Sequence, residues 1–261
     1  MSKILSVMKK VHGETWIVIT IAVLLLVLWE VSVRLEWSHS PFFPAPSAIL
    51  RSGYDMIAAG ELQENIGISL IRLLAGFCIG VFAGILVGLG MGWSRRLRLL
   101  LDPIISFIYP IPKIAILPLI MLIIGFGEHT LILIIALSAF FPVVINTIAG
   151  IVNISPTYFD IAKTYGANRL QIFTKVIFPG SLTTTMAGVR LALGLSLVMV
   201  IVAEMTMANE GIGAMLWLSW ATLRIERIFV ALLLITIISL LLTFLLKLVF
   251  SRLAPWSDEN A

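Results

Sequence analysis

Long apolar runs separated by short polar segments dominate the chain. Windows of about twenty mainly apolar residues fall at 16–34, 69–92, 103–124, 130–152, 182–204 and 228–250, each long enough to cross a bilayer as a helix. Periodicity of 3.6 residues is weak within them, as expected where most of the circumference meets lipid or another helix. Short alternating segments, the mark of a membrane β-barrel, are absent. The pattern predicts an all-α integral membrane protein with six transmembrane helices. One stretch departs from it. Residues 155–180, SPTYFDIAKTYGANRLQIFTKVIFPG, read as a polar two-helix unit set between apolar runs. Ser155-Pro156 is an N-cap followed by proline at the first helical position, where a missing N–H costs nothing. Phe159, Ala162 and Tyr165 then share a face, and Gly166 supplies the φ > 0 of a helix C-cap. Asn168 with Gln171 reads as a second N-cap and capping box. Leu170, Phe173, Val176 and Ile177 form an apolar stripe, and Pro179-Gly180 is expected to end the helix.

Three other features carry information within the spans. Gly76, Gly80, Gly84, Gly88 and Gly92 recur every four residues in the second window, a spacing that puts them on nearly one face and lets another helix approach closely. IYPIPKIAILPLI, with prolines at 110, 112 and 118, must interrupt the backbone ladder of the third span, which a membrane tolerates only against protein or a wet cavity. Charged residues inside spans cost about 2.5–3.5 kcal/mol on insertion scales and are functional candidates. Arg72, Lys113, Arg190 and Glu204 are therefore candidates for the translocation pathway, with Arg72–Glu204 pairing and Lys113 snorkelling as the structural alternatives. Cys78 reads as a small apolar packing residue. Outside the spans, prolines at 41, 44 and 46 stiffen the approach to a helix from about Ser47.

Composition agrees: 60% hydrophobic and 12% charged in 261 residues leaves too little polar surface for a soluble fold. The net charge of +4 is a topology signal, with no nucleic acid implied. With the N-terminus inside, Lys3, Lys9, Lys10, Arg95, Arg96, Arg98, Lys163, Arg169, Lys175, Lys247 and Arg252 lie in the cytoplasm, and only Arg34, Arg51, Arg224 and Arg227 lie outside. That assigns residues 1–15 to a cytoplasmic N-terminal segment, 16–254 to a transmembrane permease domain in contact with membrane lipid, and 255–261 to a cytoplasmic tail. The first span is read as an anchor, because Trp29-Glu30 and Val33-Arg34 follow where a signal peptide has small residues.

The spacing in 155–180 resembles the "EAA" signature of ATP-binding-cassette (ABC) importer membrane subunits. Asp160, Ile161 and Ala162 stand at its acidic-small-small triplet, Gly166 at its glycine, and Val176, Phe178 and Pro179 at its apolar-x-apolar-proline end. Aspartate replaces the usual glutamate, and Ile161 the first alanine. The proline-rich third span and Ala254-Pro255-Trp256 resemble the sulfonate/nitrate/taurine branch. The resemblance implies the type I ABC importer permease fold, with Asp160, Ala162, Gly166, Ala167, Phe173 and Pro179 coupling to an ATPase. It also implies a homodimer of this subunit, two cytoplasmic ATP-binding subunits, an external solute-binding protein, and residence in the bacterial plasma (inner) membrane. No cofactor belongs to this chain, and ATP and Mg would sit on the partner ATPase.

Hydrolysis by the chain itself is not expected, since no G-x-x-x-x-G-K-S/T loop is present. The solute is expected to be a small anion such as a sulfonate, taurine, nitrate or bicarbonate, with a neutral or heteroaromatic nutrient as the alternative. An ion-coupled secondary transporter would show inverted repeats and a mid-membrane carboxylate, whereas Asp102 and Glu204 sit near span ends. An intramembrane hydrolase would need catalytic groups at membrane depth. His12, His39 and His129 lie outside or at the margins of spans.

Overall fold

The computed structural model describes the backbone of residues 2–35 and 42–255, with side chains from residue 16 onward. His39, Pro41, Trp256 and the rest of the C-terminal tail lie outside the described residues. All regular elements among them are helical: α1 (Ser2–Arg34), α2 (Pro46–Ala58), α3 (Glu61–Trp93), α4 (Arg95–Ile108), α5 (Lys113–Ile124), α6 (Glu128–Val152), α7 (Pro156–Thr164), α8 (Arg169–Ile172), a π turn (Phe173–Ile177), α9 (Phe178–Met207), α10 (Ile212–Ala221) and α11 (Ile225–Leu253). Five helical stretches are long and apolar enough to span a membrane, and α4 with α5 forms a sixth candidate bent by 100°.

The glycines of α3 lie flat against α6. A Cβ on Gly76 would sit 2.6 Å from Cβ of Ile135, on Gly84 2.9 Å from the Phe140 carbonyl, and on Gly88 2.6 Å from Cβ of Thr147. Gly80 and Gly92 meet the Ala136 carbonyl and Ile151 as closely. No side chain fits there, which is why the residue every four positions is glycine.

The order of these contacts fixes the path of the chain. From Gly76 to Gly92 the facing residues of α6 run from Ile132 to Ile151, so α3 and α6 are parallel. Parallel neighbours start on the same side of the membrane. The intervening α4–α5 pair must therefore cross it, and is a broken span rather than a loop that turns back. α9 then packs antiparallel on α6, with Gly150 against Ser181 and Gly188 against Pro142 and Asn146. One end of the bundle holds the starts of α3 and α11 and the end of α9, tied by Arg227–Glu61 at 2.8 Å and Arg72–Glu204 at 2.9 Å. The other end holds residues 155–180.

Three expectations need correction. The third span is not one helix over 103–124: α4 starts at Arg95, Pro103 and Pro118 sit inside helices, and the break falls at 109–112. The helix after Asn168 does not stop at Pro179-Gly180. It runs through the π turn into α9 as one stretch of 39 residues, because the π turn precedes Pro179 and leaves it at the first turn of α9, where no N–H is required. Gly180 instead admits Ile154, whose side chain would lie 3.0 Å from a Cβ there. Cys78 is exposed on the face of α3 away from α6, so it packs against nothing within the chain. α10, a ten-residue apolar helix, was not expected at all; it is too short to give a spanning window.

Candidate functional site

Residues 155–180 project from one end of the bundle. At 1.5 Å per residue the stretch Arg169–Met207 is about 58 Å long, against about 30 Å of hydrocarbon. Its first turns therefore stand clear of the membrane and carry α7 with them. Ser155 occupies the N-cap of α7, but its side chain caps nothing and contacts Thr157 Oγ1 at 3.2 Å. The other end of α7 is closed firmly. Gly166 has φ +71°, its N–H donates to the Lys163 carbonyl at 2.9 Å, and the Ala167 N–H donates to the Ala162 carbonyl at 2.9 Å. This paired closure is the Schellman arrangement. It places Ala162, Gly166 and Ala167 in one rigid corner. Nothing lies within 4 Å of a Cβ at Gly166, so backbone conformation, not space, demands glycine.

The chain leaves the corner directly into a capping box. Gln171 N–H donates to Asn168 Oδ1 at 2.9 Å, and Asn168 N–H to Gln171 Oε1 at 2.8 Å. Phe173 then meets Trp93, the last residue of α3, edge to face with centroids 5.0 Å apart. The two-helix unit is thus tied to the end of the glycine-lined helix. Trp93 was not among the residues read from the sequence, since an aromatic at a span end is ordinarily an interface anchor.

Faces of α7 differ from the expected ones. Phe159 and Ala162 turn inward and are half-buried, whereas Tyr165 is 87% exposed. Tyr158 and Ile161, three and four residues apart from one another and Tyr165, are exposed with it, as is Leu170. Asp160 is exposed and pairs loosely with Lys163 at 3.7 Å, a contact worth little by itself. Pro179 lies half-buried at the start of α9. An apolar, aromatic ridge standing in water on a rigid, capped support has the form of a docking surface.

The pathway candidates separate into three places. Arg72 and Glu204 meet at the opposite end of the bundle, where Glu204 is fully buried. Arg72 Nη1 donates to Glu204 Oε1 and to the Glu210 carbonyl at 2.7 Å, and Nε donates to Glu128 Oε2 at 2.8 Å. Glu204 also accepts from Ser69 Oγ at 2.8 Å and from the Gly213 N–H at 2.9 Å. The start of α10 is held by the same group: Ile212 N–H donates to Ser69 Oγ at 2.8 Å and Gly211 N–H to Asn65 Oδ1 at 2.7 Å. Glu204 therefore sits at the positive end of a helix as well as beside a guanidinium. A Cβ on Gly211, whose φ is +110°, would lie 2.5 Å from that carboxyl. Glu128, read from the sequence as an ordinary loop residue, is the third member.

Lys113 stands at the break between α4 and α5. Its ammonium donates to the Tyr109 carbonyl and lies 5.0 Å from the Tyr109 ring centroid and 4.7 Å from that of Phe141. A cavity of about 280 Å³ opens here, walled by Pro110, Pro112, Ser138, Leu195 and Met199. Arg190 is elsewhere again, in a groove between α9 and α11. Among the described residues no cluster of His, Cys, Asp and Glu could hold a metal ion.

Residues 80–258 match the family described as binding-protein-dependent transport system inner membrane component. The chain is 34% identical over 245 residues to the taurine transport system permease protein TauC of Escherichia coli, covering 92% of this chain and 89% of that one. It is 31% identical to the putative aliphatic sulfonates transport permease protein SsuC of Bacillus subtilis (90% and 85% covered) and 30% identical to the nitrate import permease protein NrtB of Synechocystis (91% and 88%). Among solved structures, an inward-facing conformation of the MetNI methionine ABC transporter superposes with a TM-score of 0.54 at 16% identity, over 72% of this chain and 91% of that one. That last likeness is one of fold.

Proposed function

Because the chain belongs to the binding-protein-dependent transport system inner membrane components, in the sulfonate/taurine/nitrate branch of ABC importer permeases, we propose that two copies enclose a path for a small organic or inorganic anion. Cytoplasmic ATPases drive it and an external binding protein delivers the solute. ATP and Mg are held by the ATPases. Relatives named for taurine, aliphatic sulfonates and nitrate support an anionic solute. Both chain ends and residues 155–180 are placed in the cytoplasm, on the side favoured by the Lys/Arg asymmetry.

The observation that carries the reading is the capped corner Ala162–Gly166–Ala167 with its exposed ridge, held rigidly on α9 and braced by Phe173 on Trp93. Motion of a bound ATPase would be passed through this corner to α9 and α3. Asp160 borders the contact, and Pro179 starts the helix that receives the force. Lys113, beside a cavity at the bend of the broken span, is the candidate for meeting the solute. Arg72 and Glu204 close the opposite end.

The test is reconstitution of the permease in vesicles with its ATPase and binding protein. Solute uptake that requires ATP, and ATP hydrolysis that rises with loaded binding protein, are expected. Uptake driven by an ion gradient with no ATPase present would overturn the reading.

A further inference from the structure

Arg190 was a pathway candidate by its depth in a span, but the groove it lines opens between α9 and α11, with Leu240, Thr243, Phe244 and Lys247 as the opposite wall. Those four residues follow i, i+3, i+4, i+7 spacing and so form one stripe of α11. The cavity they enclose is about 470 Å³. Charge and apolar surface are sorted along it. Lys247 lies six residues before the end of α11, at the end of the bundle that carries residues 155–180. From Lys247 back to Leu240 the stripe rises about 10 Å into the membrane at 1.5 Å per residue. Arg190 comes from α9 on the facing side and can reach toward the same level by extending its stem along the wall.

The rim therefore carries two cations, and no carboxylate is among the lining residues. Lys247 makes no ion pair with another described residue. Above the rim, Leu240 and Phe244 are exposed, at 67% and 60%. A soluble anion would match the rim alone. A ligand with a phosphate at one end and a hydrocarbon chain at the other matches the whole groove.

We propose that this groove holds an anionic phospholipid, its phosphate between Arg190 and Lys247 and one acyl chain against Leu240 and Phe244. Basic pockets between membrane helices recognise headgroups by this chemistry. The site is independent of the solute, and bound lipid would brace α11 against α9 where that helix leaves the membrane toward the coupling corner.

Native mass spectrometry of the purified transporter complex, titrated with phosphatidylglycerol or phosphatidylcholine, tests the proposal. Wild type should retain phosphatidylglycerol in preference to phosphatidylcholine. The double variant R190Q/K247Q should bind phosphatidylglycerol roughly thirty-fold more weakly, at about one cation's contribution for each charge removed, with phosphatidylcholine unchanged. K247R keeps the charge and should retain the lipid, which separates loss of the site from misfolding. Equal phosphatidylglycerol binding by wild type and double variant would overturn the site. So would equal retention of both lipids by wild type, or displacement of the lipid by glycerol phosphate at the same concentration, which would mean that the acyl wall contributes nothing.

Discussion

Arg72 serves two carboxylates of opposite surroundings. Glu204 is sealed in the protein with Ser69 and the start of α10, while Glu128 has a side chain 57% exposed. Losing the arginine would strand Glu204 as an unpaired buried charge, and breaking buried pairs typically costs about 3–5 kcal/mol. Arg72→Met should therefore lower thermal stability in detergent far more than Glu128→Gln, whose loss amounts to about 1 kcal/mol or less. The double variant R72M/E204Q should recover part of the deficit, because the carboxylate charge goes with its partner. Equal melting temperatures for R72M and wild type would show that the pair does not hold this end together. Lys113 makes a different prediction. Lys113→Gln should raise the solute concentration needed for half-maximal uptake while leaving ATPase assembly intact; wild-type uptake would confine Lys113 to its contacts with Tyr109 and Phe141.

Among elements, the α3–α6 contact shows what a local pattern can reveal. Five glycines at four-residue spacing announced a close helix pair, and every one of them faces α6. Gly84→Leu should accordingly abolish correct folding, with strain well beyond the 1–3 kcal/mol of ordinary overpacking because the facing atom is a backbone carbonyl. Leu86→Ala, at a position 55% exposed, should fold normally. Similar yields of folded complex from the two would contradict the close approach. Turn chemistry was as legible: Gly166, Asn168 and Gln171 do what their residue types favour. What stayed hidden depends on distance. Glu128 lies 56 positions from Arg72 and 76 from Glu204, so no spacing rule joins them, and Trp93 meets Phe173 across the same kind of gap. Pro179-Gly180 misled because a proline after a π turn looks, in sequence, like a helix stop.

At the scale of the whole molecule, the two ends of the bundle are built differently. One is locked by buried charge; the other ends in a projecting corner whose outer face, Tyr158, Ile161 and Tyr165, has no partner within the described chain. α9 joins them, running from that corner to Glu204. Displacement of the corner is thus delivered to the locked end through one continuous stretch, with the π turn as its single irregularity. The coupling proposal stands or falls on the corner's rigidity. A β-branched residue at Gly166 must adopt a left-handed conformation at a cost of about 1–2 kcal/mol, and would open the paired closure that orients α8 relative to α7. A large side chain at the half-buried Ala162 would overpack the same corner by about 1–3 kcal/mol. Neither change touches a span, so Gly166→Val and Ala162→Trp should insert in the membrane like wild type. Both should lose ATP-driven uptake, with the ATPase either released or hydrolysing ATP without response to loaded binding protein. Co-purification with the ATPase, followed by hydrolysis measured in vesicles, distinguishes those two failures. Stoichiometric ATPase and full stimulated transport in both variants would mean that residues 155–180 form only a surface hairpin, and coupling would have to run through another contact.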